Sequence, residues 1–464
     1  MTGTGSLERG RGAAYGLLAS VQVALLMAMM VLNVALDEVR HTLSLTAAEL
    51  ALVNAAYPVA FCGLLLLGGR LGDVRGHRVV FLAGCAVFVA ASVGAGASVG
   101  FGSLLAARFG QGVGAALAAP AALALAGGLF EEPAARRRAL AVWGGLPAVG
   151  GALGLVTGGP LVAVASWRWV STVPVLVVAV ALAAWRRLPA GRPVAGQRVP
   201  VVGALLVTSG LSASCYGLIT VTAAPSPGPA LAVLLAGAAA LAAFATVERR
   251  GAQPLVPSGL FGSARRLTGL VALGAGAAGV FTLSYFLPLH LQQREGLGPG
   301  LTSAAYLPYA VVLVAVSAGS GRLTARLGPR RALTVGLSSA AAGLAVLSLI
   351  ALPAAPQVLP LVGTLLFPAG VALVFAAGAV IALDGVPARH AGVAGGLLNA
   401  AVETGPTLGF AALVSLAAGA STALGDGGDA AARSLGYGVA LAATAAAYLL
   451  LAAVAHRTIG PTRS

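Results

Sequence analysis

Apolar residues in this chain come in long unbroken runs, not in the short alternating or 3.6-residue patterns of a water-soluble domain. Fourteen such runs are separated by brief polar connections. They lie at about 14–36, 48–70, 78–98, 101–129, 139–164, 169–185, 200–222, 229–247, 267–291, 301–321, 331–352, 358–383, 391–420 and 433–455. A helix needs about 20 apolar residues to cross a bilayer core, so each run predicts one transmembrane helix. The longest polar stretches, 186–199 and 248–266, carry Arg together with Pro and Gly, and they bracket the runs at 200–222 and 229–247. The expected fold is an all-α integral membrane protein with little chain left for a soluble domain.

Composition sharpens this picture. Of 464 residues, 58% are hydrophobic and 9% charged, and the mean hydropathy is +0.94. The formal net charge of +15 comes from 28 basic residues, every one an Arg. If the N-terminus is cytoplasmic, 23 of the 28 fall in the inner loops, four (Arg40, Arg168, Arg294, Arg433) in the outer loops, and Arg108 within a run. That alternation is the positive-inside pattern. It predicts cytoplasmic termini and removes nucleic acid as the reason for the charge.

The absence of Lys excludes a Walker A nucleotide loop and Schiff-base chemistry. Cys62, Cys85 and Cys215 are scattered, and the five His (His41, His77, His290, His390, His456) are isolated. Neither set has the spacing of a metal site, and no Ser/His or paired-acid arrangement at membrane depth suggests an embedded enzyme. Arg9 and Arg11 precede a run too long for the apolar region of a signal peptide.

Part of the chain repeats. Gly69-Arg-Leu-Gly-Asp-Val-Arg-Gly-His-Arg78 aligns with Gly321-Arg-Leu-Thr-Ala-Arg-Leu-Gly-Pro-Arg330, five of ten positions being identical. The copies follow the second and tenth runs. Two six-helix halves with a helix pair inserted between them account for that spacing, and duplicated halves are common in transporters. The expected organisation is a tail at 1–13, a bundle at 14–185, linkers with two inserted helices at 186–266, a second bundle at 267–455 and a tail at 456–464.

The first copy of the repeat resembles the loop between spans 2 and 3 of the major facilitator superfamily, with Gly69, Leu71, Asp73, Gly76 and Arg78 matching. Arg108-Phe-Gly-Gln-Gly-Val-Gly-Ala-Ala116 is similar throughout to that superfamily's span-4 motif. Gly150, Gly154 and Gly158, with Gly159 and Pro160, resemble its antiporter signature, although Leu155 stands where that signature has Pro. Their four-residue spacing is also that of close helix packing. Trp167-Arg-Trp-Val-Ser-Thr-Val-Pro174, Phe286-Leu-Pro-Leu-His-Leu-Gln-Gln293 and Gly395-Gly-Leu-Leu-Asn-Ala-Ala401 resemble stretches of its 14-span drug/proton antiporter branch. The resemblance covers about residues 20–455.

It implies two pseudo-symmetric six-helix bundles plus two inserted helices. It also implies alternating access, with export of a small amphipathic drug, antibiotic or secondary metabolite in exchange for protons. Gly69, Asp73, Gly76 and Arg78 are expected to form a gating loop, and Arg108 and Gln111 to take part in proton coupling. The altered antiporter signature leaves proton-coupled uptake open, and a non-transporting sensor is the further alternative. Residue 28, where the branch often has an acid, is Ala.

Only one of 13 acids, Glu403, lies within a predicted membrane core. Asn399, Glu403 and Thr407 are four apart and share a helix face. Ionisable groups at membrane depth are usually functional, so Glu403 is the expected principal proton-coupling acid. The candidates for the substrate cavity are Gln22, Asn33, Asn54, Tyr57, Tyr285, Gln292, Tyr306, Tyr309 and Asn399. No cofactor or metal is expected. The proton gradient supplies the energy, and the partners are a small-molecule substrate, protons and the lipid of a bacterial cell membrane, with the protein acting as a monomer.

Overall fold

The structure is a computed structural model. It describes residues 4–130, 132–188, 201–222, 226–250, 263–352, 359–384, 386, 391–424 and 430–459. These residues form helices: α1 (Thr4–Val31), α2 (Leu36–Leu43), α3 (Ala47–Arg75), α4 (His77–Gly96), α5 (Phe101–Gly128), α6 (Pro133–Val164), α7 (Thr172–Ala183), α8 (Val201–Thr220), α9 (Gly228–Arg250), α10 (Ala264–Gln293), α11 (Pro299–Ala305), α12 (Leu307–Leu327), α13 (Pro329–Ser348), α14 (Leu359–Leu383), α15 (Ala391–Thr404), α16 (Phe410–Leu424) and α17 (Ala430–Thr458).

Thirteen segments among the described residues are long and apolar enough to cross a membrane, and Trp167–Ala183 is a shorter apolar one. The short one occupies the place of the expected sixth span. Its regular part, α7, has 12 residues, about 18 Å at 1.5 Å per residue. That is well under the ~30 Å of a hydrocarbon core. A 3₁₀ turn at Trp167–Trp169 uses the start of the apolar run, and another at Trp185–Arg187 follows its end.

Two expected spans are interrupted for a shared reason. The tenth breaks into α11 and α12 at Tyr306. Pro308 has no N–H to donate to the Ala304 carbonyl one turn back, and its ring crowds that carbonyl. The thirteenth is α15 joined to α16 through a π-helical segment, Gly405–Gly409, where Pro406 cannot donate to the carbonyl one turn back. The amphipathic α2, after a 3₁₀ turn at Leu32–Val34, falls in a stretch expected to be loop.

The chain divides into two compact units, Met1–Thr208 and Ser209–Ser464. In the first, α1 runs against α6 along the glycine ladder. A Cβ at Gly150, Gly154 or Gly158 would stand 2.7, 2.7 and 2.8 Å from the carbonyl oxygens of Val23, Met27 and Val31. Each four-residue step on α6 meets a four-residue step on α1, so the two backbones touch. Gly159 is buried beside the ladder.

In the second unit α10 is the core helix, buried along most of its length. Phe281 and Tyr285 on α10 meet Phe410 edge-on at 4.9 and 5.0 Å, and Phe286 stacks on Tyr437 of α17 at 4.8 Å. Also in this unit, α8 and α9 meet through small residues: a Cβ at Gly217 would lie 2.8 Å from the Leu234 nitrogen, and one at Gly237 2.6 Å from that of Ser214.

The repeat seen in the sequence has the same backbone in both units. Gly76, between α3 and α4, has φ 92°, and Gly328, between α12 and α13, has φ 77°. These are aligned positions of the two copies, and each makes a turn for which a Cβ is a steric liability.

Candidate functional site

Arg108 lies on α5 in the interior of the first unit, 2% exposed. Its guanidinium is held by dipoles. Nη1 donates to the Ala28 carbonyl at 3.0 Å and to Gln111 Oε1 at 2.9 Å, and Nη2 points to the Met29 carbonyl at 3.4 Å. The Tyr57 ring faces it at 5.1 Å, a distance that supports a cation–π contact. Gln111 Nε2 in turn donates to Ser92 Oγ on α4 at 2.8 Å. Spacing on α5 brings Arg108 and Gln111 onto one face, as i, i+3 requires.

Their partners, 80 and 79 residues away on α1, gave no sequence signal. Residue 28 was expected to matter through its missing acid. In the structure it supplies a backbone carbonyl to Arg108. Among the described residues no carboxylate forms an ion pair with Arg108, and its Nε is buried without a partner.

The candidate cavity residues of this unit are all interior. Tyr57, 2% exposed, donates through its hydroxyl to the Leu25 carbonyl at 2.8 Å. Asn33 sits in the 3₁₀ turn after α1 with Nδ2 3.6 Å from Met30 Sδ. Gln22 is buried, with Oε1 unpartnered. Asn54 is fully buried, and neither end of its amide has a hydrogen-bond partner.

The expected gating loop is a compact turn. Asp73 faces His77 at 3.4 Å, one turn on. The Gly76 N–H donates to the Gly72 carbonyl at 2.9 Å and closes α3. The Arg78 guanidinium lies over the Trp185 ring at 4.7 Å. Gly69 is uncrowded: the one neighbour within 4 Å of its Cβ position is Pro120, at 3.8 Å.

In the second unit Glu403 stands one residue before the end of α15. It is half-buried, and its Oε2 is buried without a hydrogen-bond partner. The π-helical segment follows at once. There Gly405 packs against α10, where a Cβ would come 2.5 Å from the Ala278 nitrogen, and the Thr407 hydroxyl donates back to the Thr404 and Glu403 carbonyls at 2.8 and 3.2 Å. The expected polar stripe therefore spans three environments: Asn399 is exposed, Glu403 half-buried and Thr407 buried.

Tyr285 is buried in the aromatic cluster. Tyr306 donates to the Leu283 carbonyl at 3.1 Å and meets Tyr309 edge-on at 5.9 Å, and Tyr309 stacks on Phe367 at 6.4 Å. Gln292 is half-buried near the end of α10.

One polar pairing escaped the sequence. His290 Nδ1 on α10 hydrogen-bonds to Ser434 Oγ on α17, 144 residues on, and His290 Nε2 faces Glu295 at 3.7 Å. The Ser/His arrangement not evident from spacing thus exists, where it ties two helices together.

Residues 18–410 match the Major Facilitator Superfamily. The chain is 37% identical over 446 residues to the puromycin resistance protein of Streptomyces alboniger, covering 92% of this chain and 86% of that one. It is 36% identical over 401 residues to the cephamycin export protein of Amycolatopsis lactamdurans, covering 83% and 81%. The fold is similar to that of a bacterial homologue of the human lysosomal transporter Spinster, with a TM-score of 0.65 at 16% identity over 97% of both chains.

Proposed function

From the premise that the chain belongs to the Major Facilitator Superfamily and is a multi-pass membrane transporter, not an enzyme, we propose that it exports a small amphipathic compound in exchange for protons. Its antibiotic-resistance and antibiotic-export relatives support efflux as the direction. The single observation that carries the proton half is the Glu403 carboxylate. It is the one acid expected within a membrane core, its Oε2 is buried and unpartnered, and it sits against a π-helical segment, a distortion frequent at functional sites.

A carboxyl so placed can take a proton when exposed to one side and lose it when exposed to the other. That is the requirement for coupling in an alternating-access cycle. In this reading Arg108 and Gln111 form a fixed polar node in the first unit, and the Asp73–His77 turn is part of the gate. Both termini are cytoplasmic, the membrane is the bacterial plasma membrane, and the working unit is a monomer.

Two arms test the proposal. A drug-susceptible bacterial host expressing the chain should survive higher concentrations of puromycin or of a cephamycin than the vector control. Inside-out vesicles from that host should accumulate the same compound when their lumen is acidified. Accumulation only under the opposite gradient would establish uptake, and no flux of any tested compound with intact folding would favour a sensor.

A further inference from the structure

We infer that the first unit carries a binding site for the headgroup of an anionic phospholipid, built from Arg78, Trp185 and Arg186. The site joins two segments far apart in the chain, the first turn of α4 and the 3₁₀ turn Trp185–Arg187 beyond α7. Their meeting point is the Trp185 indole. The Arg78 guanidinium carbon lies 4.7 Å from its ring centre, and that of Arg186 lies 5.5 Å from it. The two charges are therefore no more than about 10 Å apart, close enough for one phospholipid headgroup to reach both.

Neither charge is spent inside the protein. Among the described residues neither guanidinium takes part in a hydrogen bond or an ion pair. Asp73, the acid nearest to Arg78 in the chain, is turned to His77 at 3.4 Å. A contact with the indole face leaves the guanidinium N–H groups able to donate. Arg and phosphate pair through charge-assisted, bidentate hydrogen bonds.

The surroundings fit a lipid and not a free phosphate. Trp185, 44% exposed, follows the end of α7, and Trp169, 57% exposed, precedes its start. Indoles at both ends of a span mark the two membrane–water boundaries. Between them Val173, Leu176, Val180 and Ala183 are exposed on one face of α7. This stripe is an apolar track for an acyl chain, and it ends two residues before Trp185. With only 12 residues in α7, the bilayer must thin there or flanking side chains must reach for headgroups. A lipid held by Arg78 and Arg186 meets that mismatch. Under the proposed topology the pair faces the cytoplasmic leaflet, where anionic lipids attract basic side chains. The inference uses no feature of Glu403 and no direction of transport.

The test uses the purified full chain in mixed micelles of detergent and phosphatidylcholine. They are titrated with phosphatidylglycerol bearing brominated acyl chains, which quench tryptophan on contact. Wild-type emission should fall along a saturating curve that brominated phosphatidylcholine does not reproduce. Arg78→Gln combined with Arg186→Gln should raise the half-saturating mole fraction at least fivefold. Arg322→Gln combined with Arg326→Gln removes the same charge from the exposed end of α12 and should leave that fraction within twofold. Trp185→Phe should abolish the saturating component. Equal weakening by the two double variants would mean diffuse attraction to a basic surface and would overturn the inference. Displacement of the lipid by inorganic phosphate at matched ionic strength would overturn it as well. Should the Arg78 and Arg186 variant fail to fold, the wild type decides: equal quenching by the two brominated lipids sinks the site, and a saturating excess with phosphatidylglycerol supports it.

Discussion

The ladder of α6 on α1 offers a prediction whose sign depends on one rung. At Gly154 a Cβ would lie 2.7 Å from the Met27 carbonyl oxygen and 3.0 Å from Met30 Cβ. Ordinary carbon–oxygen contact is about 3.4 Å or more, so the helices must separate by roughly 0.7 Å. Forcing a methyl into a closed contact costs about 1–3 kcal/mol. Alanine returns up to about 1 kcal/mol through helix propensity.

Gly154→Ala is therefore expected to be destabilising by up to about 2 kcal/mol, which is up to about 30-fold in the folding equilibrium. Gly151 is the control on the same helix. Its Cβ would meet Met30 Cγ at 3.8 Å, an ordinary contact, so Gly151→Ala keeps the propensity gain and is neutral or stabilising by up to about 1 kcal/mol. Gly150→Ala combined with Gly154→Ala should cost less than the sum of the two, because one separation relieves both rungs. Fluorescence-detected size-exclusion after graded heating of the detergent-solubilised variants gives the ranking. If Gly154→Ala were as heat-resistant as Gly151→Ala, the backbone contact would be wrong.

Three further outcomes follow from the same structure. Gly76→Ala and Gly328→Ala should each lose about 1–3 kcal/mol from the strain of a positive φ, seen as lower melting temperatures of similar size, whereas Gly321→Ala, with open space around it, should not. Asn54→Leu removes a fully buried amide that has no partners. It should raise stability by about 1–3 kcal/mol, and vesicle uptake assays on the stabilised variant then report whether Asn54 serves substrate instead. Ser434→Ala strips His290 Nδ1 of its partner and should lower the melting temperature by unmooring α17 from α10, with the Gly76 turn unaffected in limited proteolysis.

What could be read from the chain was whatever repeats locally. The apolar runs correspond to helices because hydrocarbon demands about 20 apolar residues at each crossing. The Gly150–Gly154–Gly158 period became the α1–α6 contact because a four-residue step stays on one helical face. The aligned Gly76 and Gly328 became paired positive-φ turns. Arg108 and Gln111 were paired correctly by their i, i+3 spacing.

What could not be read was whatever depends on partners far away in the chain. Nothing near Arg108 says that Ala28 and Met29 supply its acceptors, and nothing near His290 names Ser434. Pro308 and Pro406 sit inside apolar runs, where composition marks a span but not the break that a missing N–H imposes. The same holds for α7, whose run is apolar to its end while its first residues are spent on a 3₁₀ turn. The tyrosines chosen as polar cavity residues are buried, because a hydroxyl can end on a neighbouring helix carbonyl, as in Tyr57 and Tyr306.

The central claim is that Glu403 carries the exchanged proton. The most direct measurement is proton release from purified chain in lightly buffered detergent solution as an exported compound is added, comparing wild type with Glu403→Gln. The account predicts a pH drop in the wild type that saturates with the compound and is absent in Glu403→Gln, while the compound still binds the variant by scintillation proximity. An equal proton release from Glu403→Gln would contradict it.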